Sequence, residues 1–288
     1  METGPPLPRV VPELDAFLIG CGSVMQGWTW TARRLPICGR ARAVDPQFLA
    51  PENLGPYVLG WLPDLGKRKV DIVAAALRPA IEVTPDRDFV EFFEVRLTTG
   101  LAVPPTVIAG LDDIAARHVV QRWWPDHLID MATDGMTSQV IAADRGGDGI
   151  CMIEATPLDP ATPSSLARRA AIAGLTMDRV LADPTGAIGD ADIEAADGVV
   201  RDDLRRASAE GQARCSRVLA QELDDTADPS FAPAAPFIAS FTGAVAASQT
   251  LRTLMGEGHP MHVQRSFESE RTRCLAMRSS PECECQRA

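Results

Sequence analysis

A short apolar stretch that breaks on glycine constrains this chain more than any other feature. Phe17-Leu18-Ile19-Gly20-Cys21-Gly22 reads as the end of a buried strand, residues 14–19, that runs through a glycine turn into a helix. Such a turn lets backbone N–H groups and a helix N-terminus approach a phosphate closely. Asp45 closes the next apolar stretch, about where a doubly wound sheet places the carboxylate that grips a ribose hydroxyl. A dehydrogenase fingerprint would stop there. Here Gly66-Lys67-Arg68-Lys69 opens an amphipathic run, and Lys69 adds a positive charge suited to a triphosphate.

The rest of the first half alternates in the same manner. Strands are expected at 14–19, 42–44, 81–83, 106–109 and 127–131, and helices at 27–35, 70–77, 86–94 and 115–123. Pro79 and Pro125 stop two of these helices. Residues 46–63 form a proline- and glycine-punctuated loop, long enough to carry function. Strand and helix in alternation imply an α/β, doubly wound and mostly parallel sheet. Further strands are expected at 139–142 and 150–153, then a helical insertion over 158–230. A small-residue helix at 237–254 suits close packing against the sheet, and a last strand covers 261–264. The plan is a flexible proline-rich lead-in (1–12), one body (13–256), and a C-terminal strand with a tail carrying Cys283 and Cys285 (257–288).

Composition narrows the function classes. A chain of 288 residues, 45% hydrophobic, can bury a full core. Its net charge of −11 argues against nucleic acid as the main ligand. The basic clusters Arg33-Arg34, Arg40 with Arg42, and Lys67-Arg68-Lys69 all fall in the nucleotide half. No apolar run approaches a membrane span. Seven scattered cysteines make an odd number and no disulfide framework, which points to the cytoplasm.

Taken in order, these motifs resemble the ThiF/MoeB family of adenylating enzymes, relatives of the ubiquitin activators. The glycine turn, Asp45, the pair Asn53-Leu54, and Lys69 three positions after Gly66 come in the family's sequence and at about its spacing. Gly110-Leu111-Asp112-Asp113-Ile114-Ala115-Ala116-Arg117 is similar to its Asp-Asn-x-x-x-Arg turn, and the helix from Pro236 to its C-terminal small-residue helix. The resemblance implies a Rossmann-like fold that binds ATP and Mg2+ and adenylates the C-terminal tail of a ubiquitin-like protein. It also implies a homodimer or a heterodimer, and a conjugating enzyme as a further partner. Gly20, Gly22, Ser23, Asp45, Asn53 and Lys69 would surround the nucleotide, and Asp112 would hold the magnesium. Ser23 and Met25 stand where the family carries glycines, and Pro56 where it carries an arginine on the terminal phosphate. Arg9 is the one candidate for the arginine that the family supplies across a dimer, with Arg34 or Arg68 as substitutes.

Several side chains are expected to assist. Arg117 could orient Asp113, and Asp130 and Asp134 could line an acceptor groove. Cys215 lies between Arg214 and Arg217, cations that would favour its thiolate, and by resemblance it could take the acyl group as a thioester. The alternative is an ordinary helix-face cysteine. Cys151-Met152-Ile153-Glu154 stands where relatives carry a Cys-x-x-Cys zinc knuckle, and Glu154 makes it a poor Zn2+ site. Two rival functions stay open: a scaffold of the same fold whose chemistry went with the arginine, and a nicotinamide-dependent oxidoreductase, which needs neither Lys69 nor the Asp112 turn.

Overall fold

A computed structural model describes residues 11–145, 151–158, 163–221, 235–258 and 260–274. Arg9 and the Cys283 and Cys285 tail lie outside the described residues. The sheet has eight strands, with β1 (Glu13–Ile19) near its middle. On one side of β1 stand β2 (Cys38–Val44) and then β3 (Ile81–Asp86); on the other stand β4 (Thr106–Ala109) and β5 (His127–Asp134). These five are parallel, so their C-terminal ends share one edge of the sheet. Beyond β5 the sheet continues antiparallel through β6 (Thr137–Asp144), β7 (Met261–Ser266) and β8 (Thr272–Cys274).

Side chains alternate across a strand, and β1 uses the alternation to serve two cores. Leu14, Ala16 and Leu18 point to one face, where they pack with α1 (Ser23–Ala32), α2 (Lys69–Leu77) and α11 (Pro236–Leu254). Phe17 and Ile19 point to the other, against α3 (Val90–Thr98) and α4 (Ile114–Arg122). The doubly wound arrangement expected from the sequence is present, and Met25 is fully buried in the first core.

Two boundaries move. Helix α1 begins at Ser23 rather than at residue 27, with Gly22 as its extended N-cap. Gly27 lies inside that helix because α11 crosses it there: a Cβ on Gly27 would meet the Ala239 carbonyl oxygen at 2.7 Å, and one on Gly243 the Trp28 nitrogen at 2.1 Å. The small face of α11 is therefore covered by α1 as well as by β5 and β6. The strand expected at 150–153 is replaced by a short helix, α5 (Met152–Ala155). Buried Met152 packs with α4 in the second core, and its N–H donates to Gln121 Oε1.

The insertion is helical as expected. Its described part comprises α6 (Ser165–Ile172), α7 (Met177–Ala182), α8 (Asp190–Ala195), α9 (Gly198–Ala209) and α10 (Arg214–Leu219). These helices have a core of their own, which Phe89 and Phe92 join to α3. No helix of the described residues is long and apolar enough to cross a membrane.

Candidate functional site

The glycine turn lies at the C-terminal edge of the parallel strands, between β1 and α1. Gly20 has φ +77, a left-handed conformation, and a Cβ there would meet the Gly110 carbonyl oxygen at 2.7 Å. Glycine is required twice over, by the backbone angle and by the approach of the β4 turn. Gly22 and Ser23 follow half-buried, and the Ser23 side chain opens the helix.

Asp45, at the end of β2, is buried with both carboxylate oxygens occupied. Oδ2 accepts from the Cys21 N–H at 2.7 Å and Oδ1 from the Gln47 N–H at 2.7 Å. The carboxylate thus ties the glycine turn to the loop after β2. Burial raises its pKa, Lys69 and the two N–H donors oppose the rise, and Asp112 adds to it. Lys69, buried at the start of α2, donates from Nζ to Gln47 Oε1 at 2.7 Å and stands 5.3 Å from the centre of the Tyr57 ring. A lysine at a helix N-terminus opposes the helix dipole, and here the Gln47 amide, the Tyr57 ring and the nearby Asp45 offset that cost.

Asp112 is exposed on the turn after β4, and among the described residues it makes no hydrogen bond or ion pair. It lies close enough to influence Asp45, Tyr57 and Arg117 electrostatically. Its neighbour Asp113 does the capping: Oδ1 accepts from the Ala115 and Ala116 N–H groups at 2.8 and 3.3 Å, and Oδ2 from the Ser165 N–H. The two aspartates divide the jobs, and Asp112 keeps a free oxygen donor of the kind a hard cation takes.

Other expected residues are engaged elsewhere. Asn53 Oδ1 accepts from the Ala50 N–H at 3.1 Å, which closes a turn in the long loop. Arg117 does not orient Asp113; it grips Asp130 through Nε at 3.0 Å and through Nη2 in a buried ion pair. Asp130 is fully buried by that pairing and lines no acceptor groove, while Asp134 is exposed at the end of β5. Arg34 stacks on Trp30, near the far end of α1, and Arg68 pairs with Asp71. Cys151 is buried, and among the described residues no group of three His, Cys, Asp or Glu could hold a metal ion.

Cys215 is half-buried on α10 and packs against the insertion's own core. Its flanking arginines point to other partners: Arg214 to Asp192 and Asp183, and Arg217 to the Ala173 carbonyl. Sequence spacing could not show this, because those partners lie 22 to 44 residues away. Gln47 and Tyr57 were likewise missed. The one available signal was the position of Gln47 two residues after Asp45.

No protein-family model matches the chain, and no curated protein sequence matches it. Among solved structures it is similar to E. coli MccB in a crystal with MccA-N7isoASN, with TM-score 0.56 and 12% identity over 95% of this chain and 67% of that one. A crystal of E. coli MccB with ATP gives TM-score 0.54 and 11% identity over 95% and 66%. PaaA gives TM-score 0.54 and 13% identity over 93% and 65%. The chain thus spans about two thirds of the length of these proteins. At such identities the likeness is one of fold, and it places the chain among α/β, Rossmann-like proteins built as MccB is.

Proposed function

We propose that the chain binds ATP with Mg2+ and transfers the adenylyl group to the C-terminal carboxylate of a peptide or small protein. The observation that carries this reading is the convergence of Asp45, Lys69 and Asp112 on the glycine turn, two of them buried and one with a free carboxylate. A fold shared with a protein solved with ATP, and also with AMPCPP together with MccA, supports the choice of ligand. A ubiquitin-like tail is the narrower form of the substrate, on the ThiF/MoeB resemblance alone.

In this reading Asp45 accepts a ribose hydroxyl, and the turn at Gly20, Gly22 and Ser23 lies along the phosphates. Lys69 offsets the charge that develops as pyrophosphate leaves. Asp112 would hold magnesium, which supplies charge neutralisation at the phosphate oxygens. The substrate carboxylate oxygen forms a bond to the α-phosphorus as the bond from that phosphorus to pyrophosphate breaks. An acyl adenylate and pyrophosphate result.

The reading ends at the adenylate, because Cys215 packs in the helical core with its arginines turned to other partners. The test is exchange of labelled pyrophosphate into ATP with peptides bearing a free C-terminus and with their C-terminal amides. Exchange with the acids alone is the expected result. Exchange equal with the amides, or absent throughout despite ATP binding, would favour the scaffold, with Pro56 in place of an arginine as its explanation. The Cys215→Ala variant is expected to exchange at the wild-type rate.

A further inference from the structure

A groove of about 400 Å3 runs between the α1 and α2 helices and the loop over residues 58–67, beginning about two helical turns beyond the glycine turn. It gathers large apolar side chains that the fold leaves in solvent. Trp61 is 70% exposed and Leu62 beside it 72%, while Trp30 on the α1 wall is 41% exposed. An apolar cluster of this kind is costly in water and marks a surface that is covered in use.

The charges around it are arranged by wall. On the α1 side Arg33 and Arg34 stack on the Trp30 ring, 4.3 and 3.7 Å from its centre, and neither has a carboxylate partner among the described residues. Both carboxylates of the groove, Asp64 and Asp71, lie on the loop and α2 side. Each is held by one exposed ion pair three or four residues away, a kind that contributes little. One wall therefore offers free cations, and the facing wall offers loosely held anions. The lining side chains include two bases, Arg33 and Lys67, and two acids, so the groove as a whole has no excess of either sign.

We infer that this groove is the contact surface for a second copy of the chain, related by a two-fold axis. A two-fold places the α1 wall of each copy on the α2 wall of the other, so that Arg33 meets the Asp71 of its neighbour twice in one interface. Trp61, Leu62 and Trp30 are buried at its centre, where aromatic anchors dominate binding. The arginines already hold the Trp30 ring, which lowers the ordering cost of association. A wholly acidic partner fits less well, since it would meet Asp64 and Asp71. The inference is independent of the chemistry proposed above.

Sedimentation equilibrium of the full chain tests it, with thermal unfolding to confirm that each variant is folded. The wild type is expected to be a dimer and W61S a monomer. R33E alone and D71R alone are expected to be monomers, and an equimolar mixture of the two to be a dimer, because both inter-copy pairs become attractive again. A monomeric wild type at high micromolar concentration overturns the inference. So does a dimer that survives W61S, R33E and D71R, which would place the contact elsewhere. A mixture that stays monomeric overturns the pairing of walls.

Discussion

Asp45 and Lys69 are separated by 24 positions, yet Gln47 links them, through its N–H to the first and its amide oxygen to the second. Removing either end leaves a buried polar group without its partner. Asp45→Ala is expected to weaken ATP binding by about 1–3 kcal/mol, read by isothermal titration. Lys69→Ala is expected to weaken binding and also abolish pyrophosphate exchange, since it removes charge stabilisation where the leaving group departs. Both residues were legible in the sequence because short strands fix how far a strand end lies from a glycine turn. The partners of Arg117, Arg214 and Asn53 were not, because a side chain's reach across a fold leaves no mark on spacing. Asp113 was half legible: a helix cap is local, whereas its bond to the Ser165 N–H spans 52 residues.

At the scale of elements, the contact of α1 with α11 governs the first core. Backbone approaches backbone at Gly27 and Gly243, and the Trp28 Nε1–H donates to Thr250 Oγ1 at 3.0 Å. Gly243→Val is expected to destabilise the chain by about 1–3 kcal/mol or more, seen as a lower urea midpoint, since the added atoms meet main chain and not a flexible tip. The sequence showed α11 as a close-packing helix but not which helix it would meet. Gly27 read as a breaker, and only the crossing explains it. Helix α5 was misread as a strand because four to eight apolar-rich residues fit either form, and burial against α4 decides the matter.

The seam between α3 and the insertion titrates. Glu91 lies buried in the first turn of α3, and burial pushes its carboxyl up to about 7, with Asp113 and Glu94 adding to the rise and its own N–H opposing it. The folded value exceeds the ordinary 4.5, so the native state holds the proton more tightly across that window. The stability contributed is present below that ordinary value and lost as pH rises through the folded one. Glu91→Gln is expected to flatten this part of the pH profile, checked by urea unfolding on both sides of the window. A fall in wild-type stability as acid is added over the same range would show the opposite sign.

For the molecule as a whole, one layout serves both stability and site. Five parallel strands bring the turns after β1, β2 and β4 to one edge, so Gly20, Asp45 and Asp112 meet although they are far apart in the chain. This much followed from the alternation of apolar runs and glycine or proline breaks. The antiparallel extension through β8 and the contact partners of α10 depend on distant packing and did not. The central claim is that this edge is built for a triphosphate and not for a dinucleotide. Isothermal titration of the full chain with ATP and Mg2+, and separately with NAD, tests it most directly. The account predicts saturable ATP binding that Lys69→Ala weakens, and no heat with NAD; NAD binding that Lys69→Ala leaves unchanged, with none for ATP, would contradict it.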